Sequence, residues 1–281
     1  MRSPYFIDEP CLHSFSGGRT SGYSLVRTLE SHNGIMPPDQ PVVFCNTGKE
    51  RNETLDFVHA CERELSVDIV WLELSSMVRL DHGYAKTYKI TDYENASRNG
   101  EPFQYLLDAM PAIPNVVNMA CTAYLKTRIM RMYADDIGLE RGCLTTIGMR
   151  YDEQRRVRNA HGKKIEGFEG YCPLYLDGVT QSMVRDFWDS MPWNLELPML
   201  PDGSCPAGNC DLCHKKSIGK REQLIAANPN MADWWINAEN QKKQRFRPDQ
   251  PSYEEMKQYA ADQMLLFGDM IDESIPCFCG D

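Results

Sequence analysis

The residues with the clearest potential for chemistry are cysteines, of which this 281-residue chain has 11. Cys210 and Cys213 form a Cys-x-x-Cys pair, Cys205 lies five residues upstream, and Cys277 and Cys279 form a Cys-x-Cys pair. Thiolate sulfur from such pairs suits a structural zinc ion or an iron–sulfur cluster. A thioredoxin-like redox pair is disfavoured, because Cys210 does not follow the first strand of a βαβ unit. Other cysteines lie in apolar stretches and are expected to be small buried residues: Cys11, Cys45, Cys61, Cys143 and Cys172.

A second candidate is the turn from Ser16 to Gly22, which joins an apolar run to a helical one. Its glycines let backbone N–H groups approach a ligand closely, and the free amides of a helix N-terminus attract phosphate. Arg19, Thr20 and Ser21 would add a charge and hydroxyl donors. The turn matches neither a Walker A loop nor Gly-x-Gly-x-x-Gly, so a β-to-α surface turn with a serine cap is the alternative interpretation.

A third candidate is the basic segment 150–164, in which Asp152 and Glu153 are the only acids. Arginine side chains bind phosphate or sulfate oxygens in two-point fashion. The whole chain has a net charge of −10, so this segment would gather a specific anion or a short stretch of nucleic acid rather than coat nucleic acid. A solvated loop is the alternative.

The elements that must position these motifs alternate between strand and helix. The pattern predicts strands at 12–15, 41–45, 67–74, 143–149 and 171–176, and helices at 20–31, 53–65, 121–135 and 181–190. Such alternation favours βαβ units and a parallel sheet of about five strands. Ligands of these sheets bind at the carboxyl ends of the strands, where Thr47 and Gly48 also lie. Residues 75–119 are expected to form an irregular lid or insertion.

Composition sets the context for these sites. The hydrophobic fraction of 42% and the charged fraction of 25% are typical of globular proteins, and no run of 18 apolar residues predicts a membrane span. The N-terminal ten residues contain Asp8 and Glu9 and lack an apolar stretch, so we expect no signal peptide and a cytoplasmic location. Thiols there are kept reduced. We expect an α/β domain over 1–200 and a helical, cysteine-containing region over 201–281.

Together and in this order, the motifs resemble those of the PP-loop superfamily and, within it, the phosphoadenosine phosphosulfate (PAPS) reductase family, above all its phage and mobile-element type. The matching segments are Ser16-Gly17-Gly18-Arg19-Thr20-Ser21, Thr47-Gly48 with Glu53-Thr54, Gly148 to Arg158, Cys121-Thr122-Ala123-Tyr124-Leu125-Lys126, Gly208 to Cys213, and Cys277-Phe278-Cys279. The resemblance implies a Rossmann-like sheet of the adenine nucleotide alpha hydrolase type with a helical C-terminal part that carries cysteines.

The resemblance also implies roles for individual residues. ATP or PAPS, with Mg²⁺ as a further candidate ligand, would be bound by Ser16, Gly17, Gly18, Arg19, Thr20, Ser21, Thr47, Gly48, Arg150 and Arg155. Cys277, Cys279 and Arg150 would be catalytic. A 4Fe-4S cluster would be held by Cys121, Cys210 and Cys213, with Cys205, Cys277 or Cys279 as a fourth ligand, and zinc is the alternative.

Two departures leave the reaction open. Thr20 replaces the aspartate of the ATP pyrophosphatases of the superfamily, which favours reduction of an adenylylated sulfate. The Glu-Cys-Gly-x-His tail of the thiol-dependent PAPS reductases is absent, which favours ATP-dependent thiolation of a nucleobase or small molecule. A nucleotide-binding module in DNA modification, without turnover, is the third interpretation.

The expected partners follow from these interpretations. They are an adenine nucleotide, a sulfur acceptor or thiol reductant, and a second copy of the chain; no membrane partner is expected. A second basic group could hold nucleic acid on the C-terminal region: Lys215, Lys216, Lys220, Arg221, Lys242, Lys243, Arg245 and Arg247. His214, next to Cys213, is expected at the surface, although it could be a metal ligand.

Overall fold

A computed structural model of the chain describes residues 2–198, 205–208 and 210–262. It contains a sheet of seven strands: β1 (Cys11–Phe15), β2 (Val42–Cys45), β3 (Ile69–Arg79), β4 (Tyr84–Thr91), β5 (Leu144–Thr146), β6 (Lys164–Ile165) and β7 (Phe168–Tyr171). Their order across the sheet is β4-β3-β2-β1-β5-β7-β6. The neighbours from β3 to β7 pair in parallel, whereas β4 and β6 pair antiparallel at the two edges. The α/β fold with a mostly parallel sheet is therefore confirmed.

The helices connect the strands as the alternating pattern predicts. They are α1 (Arg19–Ser31), α2 (Asn52–Leu65), α3 (Glu101–Ala109), α4 (Ala120–Thr122), α5 (Arg128–Asp136), α6 (Gln154–Val157), α7 (Pro173–Leu176), α8 (Gln181–Ser190), α9 (Ile218–Ala227), α10 (Ala232–Lys242) and α11 (Tyr253–Asp262). A π-helical turn, Ala123–Thr127, joins α4 to α5. The predicted helices at 20–31, 53–65, 121–135 and 181–190 are thus confirmed within a few residues.

The sheet is covered on both of its faces. Successive residues of a strand point to opposite faces, so they belong to different hydrophobic clusters. Val42 and Phe44 belong to one hydrophobic cluster, which contains residues of α1, α2 and α8. Val43 and Cys45 belong to another, which contains residues of α3, α5 and the C-terminal helices. This second cluster combines Leu12 with Trp235, so residues on both sides of the predicted boundary near 200 share a core. The boundary itself falls at 199–204, outside the described residues.

Two sequence-based expectations about elements are wrong. The supposedly irregular segment 75–119 contains the end of β3, all of β4 and helix α3. Strand β4 has no long apolar run because it is an exposed edge strand, and its residues alternate between half-buried and exposed. The strand predicted at 171–176 ends at Tyr171, and α7 begins at Pro173. Proline has no N–H for a strand ladder but is favoured in the first turn of a helix.

The polar segment 150–170 is also more regular than expected, since it contains α6, β6 and most of β7. In the described part of the chain, no helix is both long enough and apolar enough to cross a membrane.

Candidate functional site

The loop after β1 presents backbone donors at the start of α1. Gly18 is the N-cap residue and supplies no side-chain acceptor. The first helical N–H to reach a carbonyl is that of Gly22, which donates to Gly18 O at 2.9 Å. The N–H groups of a first helical turn have no acceptor within their own helix. These amides can therefore bind an anion at the carboxyl end of β1.

Gly17 is required by packing as well as by the turn. Its φ of +77° lies in the left-handed region, and a Cβ there would stand 2.8 Å from Thr54 Cγ2 and 3.1 Å from Phe44 Cε2. The residue is buried, so the expectation of a surface turn is wrong at this position. Two hydroxyls also shape the loop. Ser16 Oγ and Ser21 Oγ lie 2.9 Å apart, and Ser21 Oγ donates to Gly18 O at 2.9 Å.

Arg19 points towards a segment that follows α8. Its Nε donates to Asn194 Oδ1 at 2.8 Å, and its Nη2 donates to Leu195 O at 2.9 Å. Trp188 Nε1 in turn donates to Arg19 O at 2.7 Å. In this arrangement Arg19 anchors the 194–195 segment to the start of α1. These bonds use two of the five N–H groups of Arg19, and contact with a phosphate would involve the others.

Arg150 lies directly beside the loop after β1. Its Nη1 donates to Thr20 Oγ1 at 2.9 Å, and its side chain is 12% exposed. Asp152 and Glu153 flank the guanidinium at 3.1 Å and 3.6 Å. Because β1 and β5 are neighbours in the sheet, their following loops meet. The structure therefore joins the predicted phosphate loop to the predicted arginine loop at one sheet edge.

The other predicted arginine, Arg155, is exposed on α6. Within the described residues it has no hydrogen-bond or ion-pair partner. Its neighbour Arg156 instead forms an ion pair with Glu153. The geometry thus brings Arg150 to the loop after β1 and leaves Arg155 in solvent.

The loop after β2 is organised by Glu50, a residue that the sequence analysis missed. The N–H and the Oγ1 of Thr47 both donate to Glu50 Oε2 at 2.7 Å. Gly48 has a φ of +74°, and a Cβ there would stand 2.8 Å from Pro102 Cδ and 3.1 Å from the Gly100 backbone. This glycine is therefore explained by packing against the start of α3.

A largely buried group that we call the thiol cluster consists of Thr47, Glu50, Lys126 and Cys210. Cys210 Sγ lies 3.5 Å from Thr47 Oγ1 and 4.0 Å from Glu50 Oε1, and Lys126 Nζ lies 3.5 Å from Glu50 Oε1. A backbone bridge also pairs Glu50 with Cys210. Burial, and then the Glu50 carboxylate, raise the pKa of the Cys210 thiol well above its ordinary value.

An ion pair beside the thiol cluster holds the Cys-x-x-Cys segment against the β2 loop. Lys49 Nζ lies 2.9 Å from Asp211 Oδ2, with both side chains largely buried. Asp211 N donates to Lys49 O at 2.7 Å, and Trp235 Nε1 donates to Asp211 Oδ1 at 2.9 Å. These contacts place the segment at the carboxyl end of β2.

The predicted metal ligands are only partly gathered. Cys213 N donates to Cys210 O at 3.3 Å, and Lys215 Nζ donates to Thr122 Oγ1 at 3.1 Å, so the segment lies against the helix start that carries Cys121. Cys205 is exposed. Across the described residues, no group of three or more His, Cys, Asp or Glu side chains is arranged to hold a metal ion. Cys277 and Cys279 lie outside the described residues.

The chemistry of the donor set nevertheless fits an anionic thiolate centre. Three thiols belong to two segments that are in contact, and the largely buried side chains of Lys126 and Lys215 lie beside them. The charge of Lys126 lowers the pKa of the Cys210 thiol, against the larger effects of burial and Glu50, and the thiolate is the form that binds metal. Cys121, Cys210 and Cys213 are therefore the residues that could hold zinc or an iron–sulfur cluster.

Two expectations for the C-terminal region are wrong. His214 is 1% exposed and stacks on Phe246, with ring centroids 5.3 Å apart; burial lowers its pKa to about 3. Half of the predicted cationic surface is internal, because four of its eight members are buried: Lys215, Lys216, Arg221 and Arg247. The sequence shows the charges, but only the packing of α9–α11 shows that these four are buried.

Comparisons with known proteins find a phage relative and several similar solved structures. No family model matches the chain. The chain is 28% identical over 210 residues to an uncharacterized nin region protein of Escherichia phage lambda; the match covers 74% of this chain and 66% of that protein, just under two thirds of its length.

Two of the similar solved structures have low sequence identity to this chain. PAPS reductase from Candida auris, in a phosphate complex, has 12% identity and a TM-score of 0.41, covering 66% of this chain and 75% of the other. U34-tRNA thiolase from Methanococcus maripaludis, with its [4Fe-4S] cluster, has 11% identity and a TM-score of 0.41, covering 96% and 80%. The chain is thus similar to a phage protein, a PAPS reductase and a tRNA thiolase.

Proposed function

We propose that this protein is a sulfur-metabolism enzyme that binds an adenine nucleotide, PAPS or ATP, at the carboxyl edge of the sheet. The observation that carries the proposal is the hydrogen bond from Arg150 Nη1 to Thr20 Oγ1, at 2.9 Å. It places a guanidinium beside the free amides of α1, so charged and backbone donors face one anion position. Segment 16–21 would hold the phosphates, and Thr47 and Gly48 would flank the nucleotide.

Arg150 is suited to grip the charged end of the ligand. Asp152 and Glu153 keep the guanidinium in place, and its remaining N–H groups can reach a phosphate or sulfonyl oxygen. Arg155, exposed on the same segment, is a second contact that can fold over the ligand. Adenosine alone lacks the groups that these donors recognise.

With PAPS, the proposed reaction is thiol-dependent reduction. A thiolate from Cys277 or Cys279 attacks the sulfonyl sulfur, the bond from that sulfur to the phosphate oxygen breaks, and adenosine 3′,5′-bisphosphate leaves with the electron pair. A second thiol then attacks the resulting cysteine S-sulfonate and releases sulfite. The two thiols become a disulfide, which an external thiol reductant returns to the dithiol.

Cys121, Cys210 and Cys213, with Cys205, Cys277 or Cys279 as a fourth ligand, are proposed to hold a 4Fe-4S cluster or, as the alternative, zinc. A cluster would supply electrons or a binding position for sulfur, whereas zinc would be structural. Lys126 and Glu50 keep the Cys210 side of this centre next to the nucleotide loop.

ATP-dependent thiolation of a nucleobase or small molecule is the second candidate. Its specific support is the Cys210 thiol, which lies 3.5 Å from Thr47 Oγ1 on the predicted nucleotide loop. ATP, with Mg²⁺, would activate the acceptor and release pyrophosphate. A module that binds nucleotide without turnover in DNA modification is distinguished from both by the absence of either product.

The test combines binding with product release. Calorimetric titration with PAPS, ATP and adenosine should show that Arg150→Ala weakens the charged ligands by about 1.5–3 kcal/mol, the value of a charge-assisted hydrogen bond, and adenosine by far less. Arg185→Ala is the matched control, since Arg185 is exposed on α8 and pairs with Asp186. Sulfite from PAPS would indicate reduction, and pyrophosphate from ATP would indicate thiolation. Equal weakening for adenosine would contradict the proposed role of Arg150.

A further inference from the structure

A cavity of about 390 Å³ opens beside Glu73, Leu74 and Ser75 in the middle of β3, in a part of the molecule that none of the predicted motifs includes. This volume lies within the range of small-molecule sites, about 300–1,000 Å³. Its polar lining comes from β3, β4, the 95–99 loop and α3 and includes Glu73, Lys89, Ser97, Arg98, Asn99 and Tyr105.

The floor of the cavity is a fully buried carboxylate whose hydrogen bonds are already made. Glu73 accepts from Asn46 Nδ2 at 2.6 Å, from Ser97 N at 2.6 Å, from Ser97 Oγ at 2.7 Å and from Lys89 Nζ at 3.0 Å. Four donors satisfy its charge, so the carboxylate needs no cationic ligand. Its role is to hold the 95–99 loop against the middle of β3, which makes the cavity pre-formed.

The charges around the cavity balance. Lys89 is paired with Glu73, which leaves Arg98 and Glu101 with opposite signs. Arg98 is fixed by bonds to Ala96 O and Tyr93 O, both at 2.9 Å. These bonds use two of its five N–H groups, and in the described part of the chain the others are open to a ligand. A neutral ligand with carbonyl acceptors fits this lining better than a free phosphate or a metal cation.

Tyr105 gives the cavity a flat aromatic surface. Its side chain lines the cavity from α3 and is 42% exposed. An exposed aromatic ring beside fixed donors is the arrangement that stacks a nucleobase, since every base has a π-face and polar edge atoms. Asn99 and Glu101 add acceptors for the N–H groups of a base edge.

We propose that this cavity binds a nucleobase of a nucleoside or polynucleotide, at a site separate from the one that holds the phosphates of the adenine nucleotide. The base would stack on Tyr105, and Arg98 would donate to its carbonyl oxygens. As a binding site, the cavity stands on its own lining; its assignment to the sulfur acceptor rests on the proposed function.

The position of the cavity supports that assignment. Asn46 Nδ2 donates to Glu73 Oε1 and to Ser97 O, while Asn46 Oδ1 accepts from Gly48 N at 2.9 Å. One residue therefore joins the cavity wall to the loop that carries Thr47. A base bound there would be linked to the β2 loop of the thiol cluster through Asn46, and the proposed sulfur acceptor is needed on this side of the molecule.

The experiment is calorimetric titration of the full chain with uridine, cytidine, guanosine and adenosine, with and without saturating ATP. We expect at least one nucleoside to bind in the presence of ATP. Tyr105→Ala should weaken it by roughly fivefold or more, as expected for lost base–aromatic stacking. Tyr105→Phe should retain it, because the ring remains. Gln104→Ala, on the same helix but outside the cavity lining, should leave it unchanged.

Several outcomes would overturn the inference. They are no nucleoside binding, displacement of the bound nucleoside by ATP, or equal affinity in Tyr105→Ala and the parent. Failure of the proposed function looks different: ATP and PAPS would not bind, or Arg150→Ala would not weaken them, while the nucleoside titration and its Tyr105 dependence remained.

Discussion

Two parts of this sheet edge differ in how their polar groups are paired: the phosphate side, formed by the loops after β1 and β5, and the thiol side, formed by the β2 loop and the segment around Cys210. On the phosphate side, the first amides of α1 have no acceptor within their helix, and Arg150 has N–H groups that no described residue accepts. On the thiol side, Thr47, Glu50 and Cys210 are packed into a buried network with an ion pair, Lys49–Asp211, next to it. The first arrangement is ready for a ligand, whereas the second is held together by its own contacts.

This difference shows that a glycine-rich motif is not by itself a ligand motif. Gly17 belongs to the phosphate side and Gly48 to the thiol side, yet both have a positive φ, and a Cβ at either would stand 2.8 Å from a neighbouring side chain. In both places the glycine allows two segments to pack closely. Binding of an anion on the phosphate side would depend instead on the amides that follow Gly17.

The largest expected effect is the loss of a metal centre from the thiol side. In anaerobically purified protein, Cys121→Ala, Cys210→Ala or Cys213→Ala should each remove iron and visible absorbance, since metal binding and folding are coupled. Elemental analysis of iron and zinc per chain is the measurement. Cys61→Ala, a buried cysteine of α2, is the control and should keep the metal.

The tail cysteines complete this experiment. We expect Cys277→Ala with Cys279→Ala to keep most of the iron and to change activity instead. If that double variant loses all metal while Cys121→Ala keeps it, the centre is a Cys-x-x-Cys plus Cys-x-Cys site, most simply zinc, and the distinction between ligand and catalytic cysteines is wrong.

Glu50→Ala should be the most destabilising change within the thiol cluster. It removes the carboxylate that faces buried Lys126 and that accepts two hydrogen bonds from Thr47. Breaking a buried pair costs about 3–5 kcal/mol, which urea unfolding measures. Glu53→Ala is the control, because Glu53 is 30% exposed and pairs with Arg51; it should cost at most about 1 kcal/mol. Similar losses for the two variants would show that the thiol cluster is not tightly coupled.

Gly17→Val tests the packed part of the phosphate side. A branched side chain at a φ of +77° and 2.8 Å from Thr54 should cost about 2–4 kcal/mol of unfolding free energy, from backbone strain and overpacking. Gly18→Ala should cost less than about 1 kcal/mol, because the φ of −102° and ψ of 164° at Gly18 suit any residue. Equal stability of both variants would place Gly17 outside the α2 contact.

The smallest expected effect concerns His13, which bonds Thr146 Oγ1 and Gln40 Oε1 beneath the phosphate side. Burial lowers its pKa from 6.5 to about 4. The unfolded chain takes up this proton below pH 6.5 and the folded chain only near pH 4, so stability falls as pH decreases across that window, by up to about 3 kcal/mol. His13→Gln should flatten this part of a urea-unfolding profile, whereas exposed His82→Gln should not. An unchanged slope would mean that His13 titrates normally.

The sequence predicts the sheet and the location of the motifs more completely than it predicts their contacts. Strand β2 reads as an apolar run because both its faces are buried, and α1 and α2 show helical spacing. The sequence does not predict strand β4, because an edge strand needs no apolar pattern. The sequence does not reveal the role of Glu50, because its partner Cys210 is 160 residues away. It does not reveal the burial of His214, because Phe246, on which His214 stacks, comes from a later segment.

The backbone bridge between Glu50 and Cys210 has a consequence for the order in which the molecule assembles. All five parallel strands are complete by Tyr171, so a nascent chain can form the sheet and join Arg150 to Thr20 early. The contacts of Lys49 and Glu50 with the segment at 210–211 form only after that segment has been synthesised. They close a long loop, and contacts between residues so distant in sequence form slowly. The protein would acquire its capacity to bind an anion before it acquires the environment of its thiols.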